Sequence, residues 1–255
     1  MMENIFRKLQ IEAIRIARQY PAPDFYRDFQ EEVAGSWQAF VSDPTTKRIH
    51  RFVLESIDND FGHGIDHARK VALDAGALML VEGRQAGYEE QRLCRLLRLA
   101  HCAGLLHDIR RKEKKHARAG AREAEKILFD EGFSKQDRAD ICLAIANHEA
   151  FGENQGAGST EGDLLSDCLY DADKFRWGPD NFTQTVWSMV SAMDISISTF
   201  MAHYPKGMTF LRSIRETFRT PTGKTYGPRF IDTGIAIGND LHELIRSDYL
   251  DTGAG

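Results

Sequence analysis

LAHCAGLLHDI (Leu99–Ile109) closes a longer apolar run. Upstream and through it, Leu93, Leu96, Leu97, Ala100, Gly104 and His107 recur at i, i+3, i+4, i+7, i+11 and i+14. That spacing is one face of an α-helix. The face is apolar until its last member, an imidazole, and the next residue is the carboxylate of Asp108. A histidine on a core-facing stripe, followed by an acid at a helix C-terminus, is unfavourable unless a partner compensates both. The stretch therefore fixes a helical core and also points to a cation beside it.

The neighbouring segments repeat the helical period. Ile5, Leu9, Ala13 and Ile16 mark a first amphipathic helix, stopped by Pro21 and Pro23. A second is predicted over 24–40 and a third from Thr45 to Ser56. The next places His67, Val71, Ala75 and Leu78 on one face. Ala117–Asp130 follows, entered at His116. Ser134 and Asp137 have the spacing of a capping box, opening a helix with Ile141, Ile145 and His148 on one side. Gly152–Gly162 (GENQGAGSTEG) reads as a loop, and Asp163–Arg176 as a helix carrying Leu165, Leu169 and Asp173. Further helices are predicted near 182–203, 208–219 and 229–248, with a turn-rich stretch, compatible with a short hairpin, at 220–228. No segment alternates with period 2. The expected fold is all-α and single-domain over 1–255. Its helical core spans 45–178, and the helical flanks are 1–44 and 179–255.

Composition narrows the function classes. The chain has 255 residues, 42% of them apolar, and a net charge of −5. No basic stretch suggests a nucleic-acid surface, while a small anionic substrate remains open because local sites override net charge. The most apolar late segment, Val186–Met201, is interrupted by Ser188, Ser191 and Asp194 and is too short and polar to span a bilayer. Cys94, Cys102, Cys142 and Cys168 form no CxxC pair and are expected as reduced core thiols. With no signal-peptide core at the start, a cytoplasmic location is expected.

Six residues of ligand type punctuate the helices: His67, His107, Asp108, His116, His148 and Asp173. Their aggregation on inner faces is costly without a metal. Two histidines and two aspartates, with no cysteine, suit a hard or borderline divalent ion such as Mn, Fe, Co, Zn or Mg. Coordination positions left open to water and substrate would make such a site catalytic.

Five stretches carry a resemblance: HGIDHARKV (63–71), LAHCAGLLHDI (99–109), HARAGAREAEKIL (116–128), AIANHE (144–149) and YDADKF (170–175). In this order they resemble the HD-domain superfamily of metal-dependent phosphohydrolases. One HD dipeptide specifies little. The ordered series H…HD…H…H…D, over about 63–177, is specific.

The resemblance implies that His67, His107, Asp108 and Asp173 hold a first metal. It implies either a second metal at His116 and His148, bridged by Asp108, or a substrate-pocket role for those histidines. It also implies that His63 donates a proton to the leaving group, the alternative for His63 being a plain turn residue between Gly62 and Gly64. Lys174 would contact a substrate phosphate, with Arg111 and Arg176 as further candidates. Lys70 stands where the family often has arginine, keeping the charge but losing the bidentate fork.

The activity implied is hydrolysis of a nucleotide or another small phosphate ester by a metal-activated water. Two alternatives remain. A few superfamily relatives, such as myo-inositol oxygenase, use a two-iron version of the site to activate oxygen. A non-catalytic binding or regulatory module is the other, and a homo-oligomer fits any of these. His101 lies off the Leu97–Gly104 stripe and reads as structural, as do His50, His203 and His242. Arg110–Lys115 reads as a solvated helix end, and the series Arg212, Arg215, Arg219, Lys224, Arg229 as a solvated face, with substrate or subunit contact as its alternative.

Overall fold

The computed structural model describes residues 2–56, 64–152 and 154–250. No strand occurs among the described residues. The helices are α1 (Met2–Ala17), α2 (Asp24–Asp28), α3 (Gln30–Ser42), α4 (Pro44–Ser56), α5 (Ile65–Gln85) and α6 (Glu90–Leu106). They continue with α7 (His116–Leu128), α8 (Lys135–Ala146), α9 (Thr160–Phe175), α10 (Val186–Ala192), α11 (Ile197–Ile214) and α12 (Pro221–Ile245). Two π-helical turns, Asn181–Thr185 and Arg246–Leu250, precede α10 and follow α12.

α5 and α6 are the centre of the molecule. Val71, Ala75 and Leu78 of α5 are fully buried, as are Leu96 and Ala100 of α6. Each large apolar chain so buried contributes about 1.5–3 kcal/mol of transfer free energy. The two helices touch backbone to backbone at Gly104, where a β-carbon would lie 2.6 Å from the Ala72 nitrogen. Only glycine permits that approach. α9 packs against α5, α6, α8 and α12, so Asp173 is brought to the same end of the bundle as His67 and His107.

The flanks join this core. Phe6, Leu9 and Ala13 of α1 belong to the same buried cluster as Ile237, Leu241 and Ile245 of α12. Gln10 donates to the Thr183 carbonyl (2.9 Å), and the Tyr20 hydroxyl to Asp240 (2.6 Å).

Several predicted elements are corrected. The helix expected over 24–40 is two, divided at Phe29, whose φ −121°, ψ 42° leaves the helical region. α9 starts at Thr160 because the Ser159 hydroxyl accepts from Gly162 N. The turn-rich 220–228 stretch is the start of α12. Thr220 caps it by accepting from Gly223 N, and Pro221 sits at the first helical position, where a missing N–H costs nothing. Gly223 and Gly227 are small because Asp171 and Phe218 press against them, not because the chain turns. The helix predicted near 182–203 breaks at Met193–Ser196, and α11 runs through Pro205. Cys102 and Cys168 are buried, but Cys94 is exposed and Cys142 only half-buried, so two of the four are not core thiols.

Candidate metal centre

Five helix ends converge at one side of the bundle. His67 lies in the first turn of α5, and His107 and Asp108 follow α6. His116 opens α7, His148 follows α8, and Asp173 sits in the last turn of α9. All but the half-buried His116 are buried.

The atoms facing each other form two overlapping groups. His67 Nε2 is 3.2 Å from His107 Nε2, 3.3 Å from Asp173 Oδ1 and 3.9 Å from Asp108 Oδ2. His107 Nε2 is 3.5 Å from Asp108 Oδ2 and 3.7 Å from Asp173 Oδ1. In the second group the other Asp108 oxygen, Oδ1, is 3.5 Å from both His116 Nε2 and His148 Nε2. Those two nitrogens are 3.2 Å apart. Ligands about 2.0–2.2 Å from a shared ion stand roughly 3–3.5 Å from one another. The first group fits one divalent ion on that measure, and the second would fit another, with one Asp108 oxygen facing each.

The protonation states agree. His107 Nδ1 points at the Gly104 carbonyl (2.8 Å) and His148 Nδ1 at the Ile145 carbonyl (2.7 Å). A carbonyl only accepts, so both Nδ1 atoms carry the hydrogen and each neutral ring presents the Nε2 lone pair. His116 Nδ1 is likewise 3.1 Å from Glu149 Oε1. Burial holds His107 down at about 3, and burial also lowers His116. Burial alone would raise the Asp173 carboxyl. The Lys174 ammonium, with His67 and His107, holds it well below the usual carboxylate range. Neutral imidazoles and ionised carboxylates are the forms that bind metal.

The remaining expected site residues fall in three places. Lys174 is buried, and its ammonium donates to Asp173 Oδ2 (2.6 Å) and the His148 carbonyl (3.0 Å), so it steadies a ligand. Arg176 lines the site, but its guanidinium is committed to Asp74, to Asp180 (2.5 Å) and to the Tyr26 hydroxyl (2.8 Å). This departs from the expected phosphate contact: Arg176 ties α9 to α5 and α2. Arg111 is 38% exposed at the rim, with Nη1 2.7 Å from His116 Nε2 and 3.8 Å from Asp108 Oδ1. His63 lies outside the described residues. Lys70 donates to Asp180 (2.8 Å) and Gln184 (3.1 Å), so it and Arg176 share one acidic anchor.

Sequence reasoning passed over Asp74, Asp180, Tyr26 and Glu149 as parts of this site. Asp74 lies seven residues after His67, on the same face of α5, and that spacing was the available signal. Asp180 stands four residues after its partner Arg176, also a readable spacing, while Tyr26 and Glu149 are joined to the site by Arg176 and His116, too distant in sequence to read.

The family described as the HD domain matches residues 64–178. That stretch of the chain is similar to the HD domain. All six ligand candidates lie within the HD span, while α10–α12 lie outside it. No curated protein and no solved structure matches the chain. Among the described residues no helix is long and apolar enough to cross a membrane.

Proposed function

We propose that the protein is a metal-dependent phosphohydrolase acting on a small phosphate ester, nucleotides included. The observation that carries this reading is the convergence of His67, His107, Asp108 and Asp173, with Asp108 turning its second oxygen to His116 and His148. These residues would hold one divalent ion, or two with Asp108 between them. Such an ion supplies Lewis-acid polarisation of a phosphoryl oxygen and acidifies water.

The chain's own groups do the rest. The Gly104 and Ile145 carbonyls fix the imidazole tautomers. Lys174 keeps Asp173 ionised and in place. Arg111, 38% exposed at the rim, would turn from His116 to neutralise charge on the phosphoryl group as it transfers. His63 is the proposed donor of the leaving-group proton.

The test uses metal-stripped protein reloaded with Mn, Fe(II), Co, Zn or Mg and a panel of phosphomonoesters, diesters and nucleoside triphosphates. Metal-dependent phosphate release is expected. Asp108→Ala should lose both bound metal, measured by elemental analysis, and turnover, by at least about 1,000-fold. Full activity in that variant overturns the assignment.

The shared Asp108 also suits a two-iron oxygenase, the second reading. Oxygen uptake by the Fe(II)-loaded protein, with no phosphate released from any ester, would favour it.

A further inference from the structure

The metal site opens on a cavity of about 220 Å³, too small for the organic part of a large ester. A second cavity of about 790 Å³ adjoins it. The two share Asp108, Arg111, Trp177, Asn181, Thr185 and Phe210 as common wall. The larger one is built mainly by α10 and α11 and the turn before them, the part of the chain beyond the HD span.

Its chemistry is apolar. Phe182, Met189, Met193, Phe200, Tyr204 and Phe210 line it. Two of the polar groups among the lining are spent on the protein: the Tyr204 hydroxyl donates to Asn239 (3.2 Å) and His203 Nδ1 to the Thr199 carbonyl (2.8 Å), while Asn181 and Thr185 stand at the edge nearest the metal site. A nucleobase and ribose would need such groups free, because unpaired polar edges are penalised on burial.

Exposed apolar side chains are costly, and here they gather. Met189, Met193 and Phe210 are 37%, 57% and 41% exposed and line this same cavity. Phe151 stands 6.1 Å from Phe210, ring to ring. Phe151 also has φ 62°, a left-handed conformation that bulky residues rarely adopt, at the end of the segment that carries His148 and Glu149. The strained backbone thus sets the exposed Phe151 ring beside Phe210, which lines both cavities. Met189 and Met193 add flexible walls that adapt to varied apolar shapes.

We infer that this cavity receives the organic body of the substrate, and that the substrate is a phosphate ester of a large apolar alcohol. The inference rests on the phosphohydrolase reading and narrows it. The phosphoryl end lies at the His67–Asp173 side and the apolar body runs past Trp177 and Phe210 between α10 and α11. Arg111, which lines both cavities, matches the anionic end.

The experiment is a homologous series of n-alkyl phosphates, from ethyl to decyl, kept below micelle-forming concentrations, with adenosine monophosphate alongside. The protein is loaded with whichever metal supports turnover. Relative kcat/KM is expected to rise about threefold to fourfold per buried methylene and to exceed that for the nucleotide. Met189→Glu and Met193→Glu, both at exposed positions, should cut the decyl-to-ethyl ratio at least tenfold with unchanged circular dichroism. Binding of the matching alkylphosphonates, followed by calorimetry, reads the cavity without turnover and should tighten along the series.

Hydrolysis that is flat along the series, or that prefers the nucleotide, overturns this inference and leaves the hydrolase standing. Phosphonates that tighten with chain length, with no ester cleaved, support the cavity assignment and overturn the hydrolase. Phosphonate binding independent of chain length overturns the cavity assignment.

Discussion

Gly104→Ala should damage both the fold and the metal centre, by amounts the structure sets. The added β-carbon would stand 2.6 Å from the Ala72 nitrogen and 2.9 Å from the Ala72 β-carbon, against an ordinary contact of 3.4 Å or more. The Ala72 Cα is nearer still, and both atoms belong to the α5 backbone and cannot rotate away, so α5 and α6 must part by about 1 Å. Overpacking of this kind costs about 1–3 kcal/mol. Alanine recovers about 1 kcal/mol of helix propensity, leaving a net loss of about 0–2 kcal/mol in the metal-free protein. The same movement separates His67 from His107, now 3.2 Å apart at Nε2, and shifts the Gly104 carbonyl that orients His107. Disturbing such an outer partner lowers metal affinity about 10–100-fold. Urea unfolding of the stripped protein reads the first effect, and chelator competition reads the second. Gly207→Ala is the control, since a β-carbon there meets nothing within 4 Å of it. It should be neutral or stabilising. If Gly104→Ala matched that control in unfolding midpoint and metal affinity, the close packing of α5 on α6 would not be what holds the ligands together.

Three further outcomes are expected. Asp74→Asn removes one carboxylate from the buried Arg176 cluster but leaves Asp180 paired with the guanidinium, so losing the charge-assisted bond should cost about 1.5–3 kcal/mol, seen as a lower denaturation midpoint; an unchanged midpoint would show that Asp74 is not the brace. His101 is held neutral by burial, its pKa pushed down from 6.5 to about 3. The stability it contributes is complete above pH 6.5 and is lost as pH falls towards 3, because the unfolded chain takes up a proton that the native chain refuses. In His101→Leu the dependence of unfolding free energy on pH between 6 and 4 should flatten by about 1 kcal/mol per pH unit, and an unaltered slope would exclude the effect. His63→Ala should slow esters of poor leaving groups by about 100-fold or more and spare p-nitrophenyl esters, with metal content retained; equal loss on both would remove His63 as the proton donor.

Much of the helical core is written locally, and so it was legible. The Leu93–His107 stripe is one buried face of α6 and its C-terminus. The Ser134–Asp137 box is present with both hydrogen bonds, 3.0 Å and 3.4 Å. Where the reading went astray, a distant partner had overridden local preference. Gly223 and Gly227 read as turn residues, yet they are glycines because Asp171 and Phe218 occupy the space of a side chain. Arg176 read as a free cation near a phosphate site, yet Asp74 and Tyr26, 102 and 150 residues away in sequence, hold it. Arg219 read as one of a solvated series, yet it lies 3.6 Å over the Tyr170 ring and donates to the Asn147 carbonyl. The apolar residues of α10 and α11 carry no signal separating a cavity wall from a core stripe. That difference depends on how the 108–113 turn and Trp177 stand beside them.

The site residues were easier to read than these contacts because their burden falls on groups that every helix end must satisfy. A helix leaves its last carbonyls without intrahelical partners. In this chain the Gly104 and Ile145 carbonyls, at the ends of α6 and α8, accept from the Nδ1 atoms of the histidines three residues on. One hydrogen bond therefore completes a helix terminus and fixes a ligand tautomer together. Histidine placed three residues after a helix-end carbonyl, twice, is a local pattern and survives in sequence. The carboxylates follow a different rule. Asp108 and Asp173 gain nothing from helix C-termini, which repel negative charge, so each stands beside a cation: Lys174 at Asp173 and Arg111 near Asp108. The neutral imidazoles gathered there could in addition hold an ion, which the helical scaffold itself does not need. Removing the metal should accordingly loosen the ends of α6 and α9 before it unfolds the α5–α6 core.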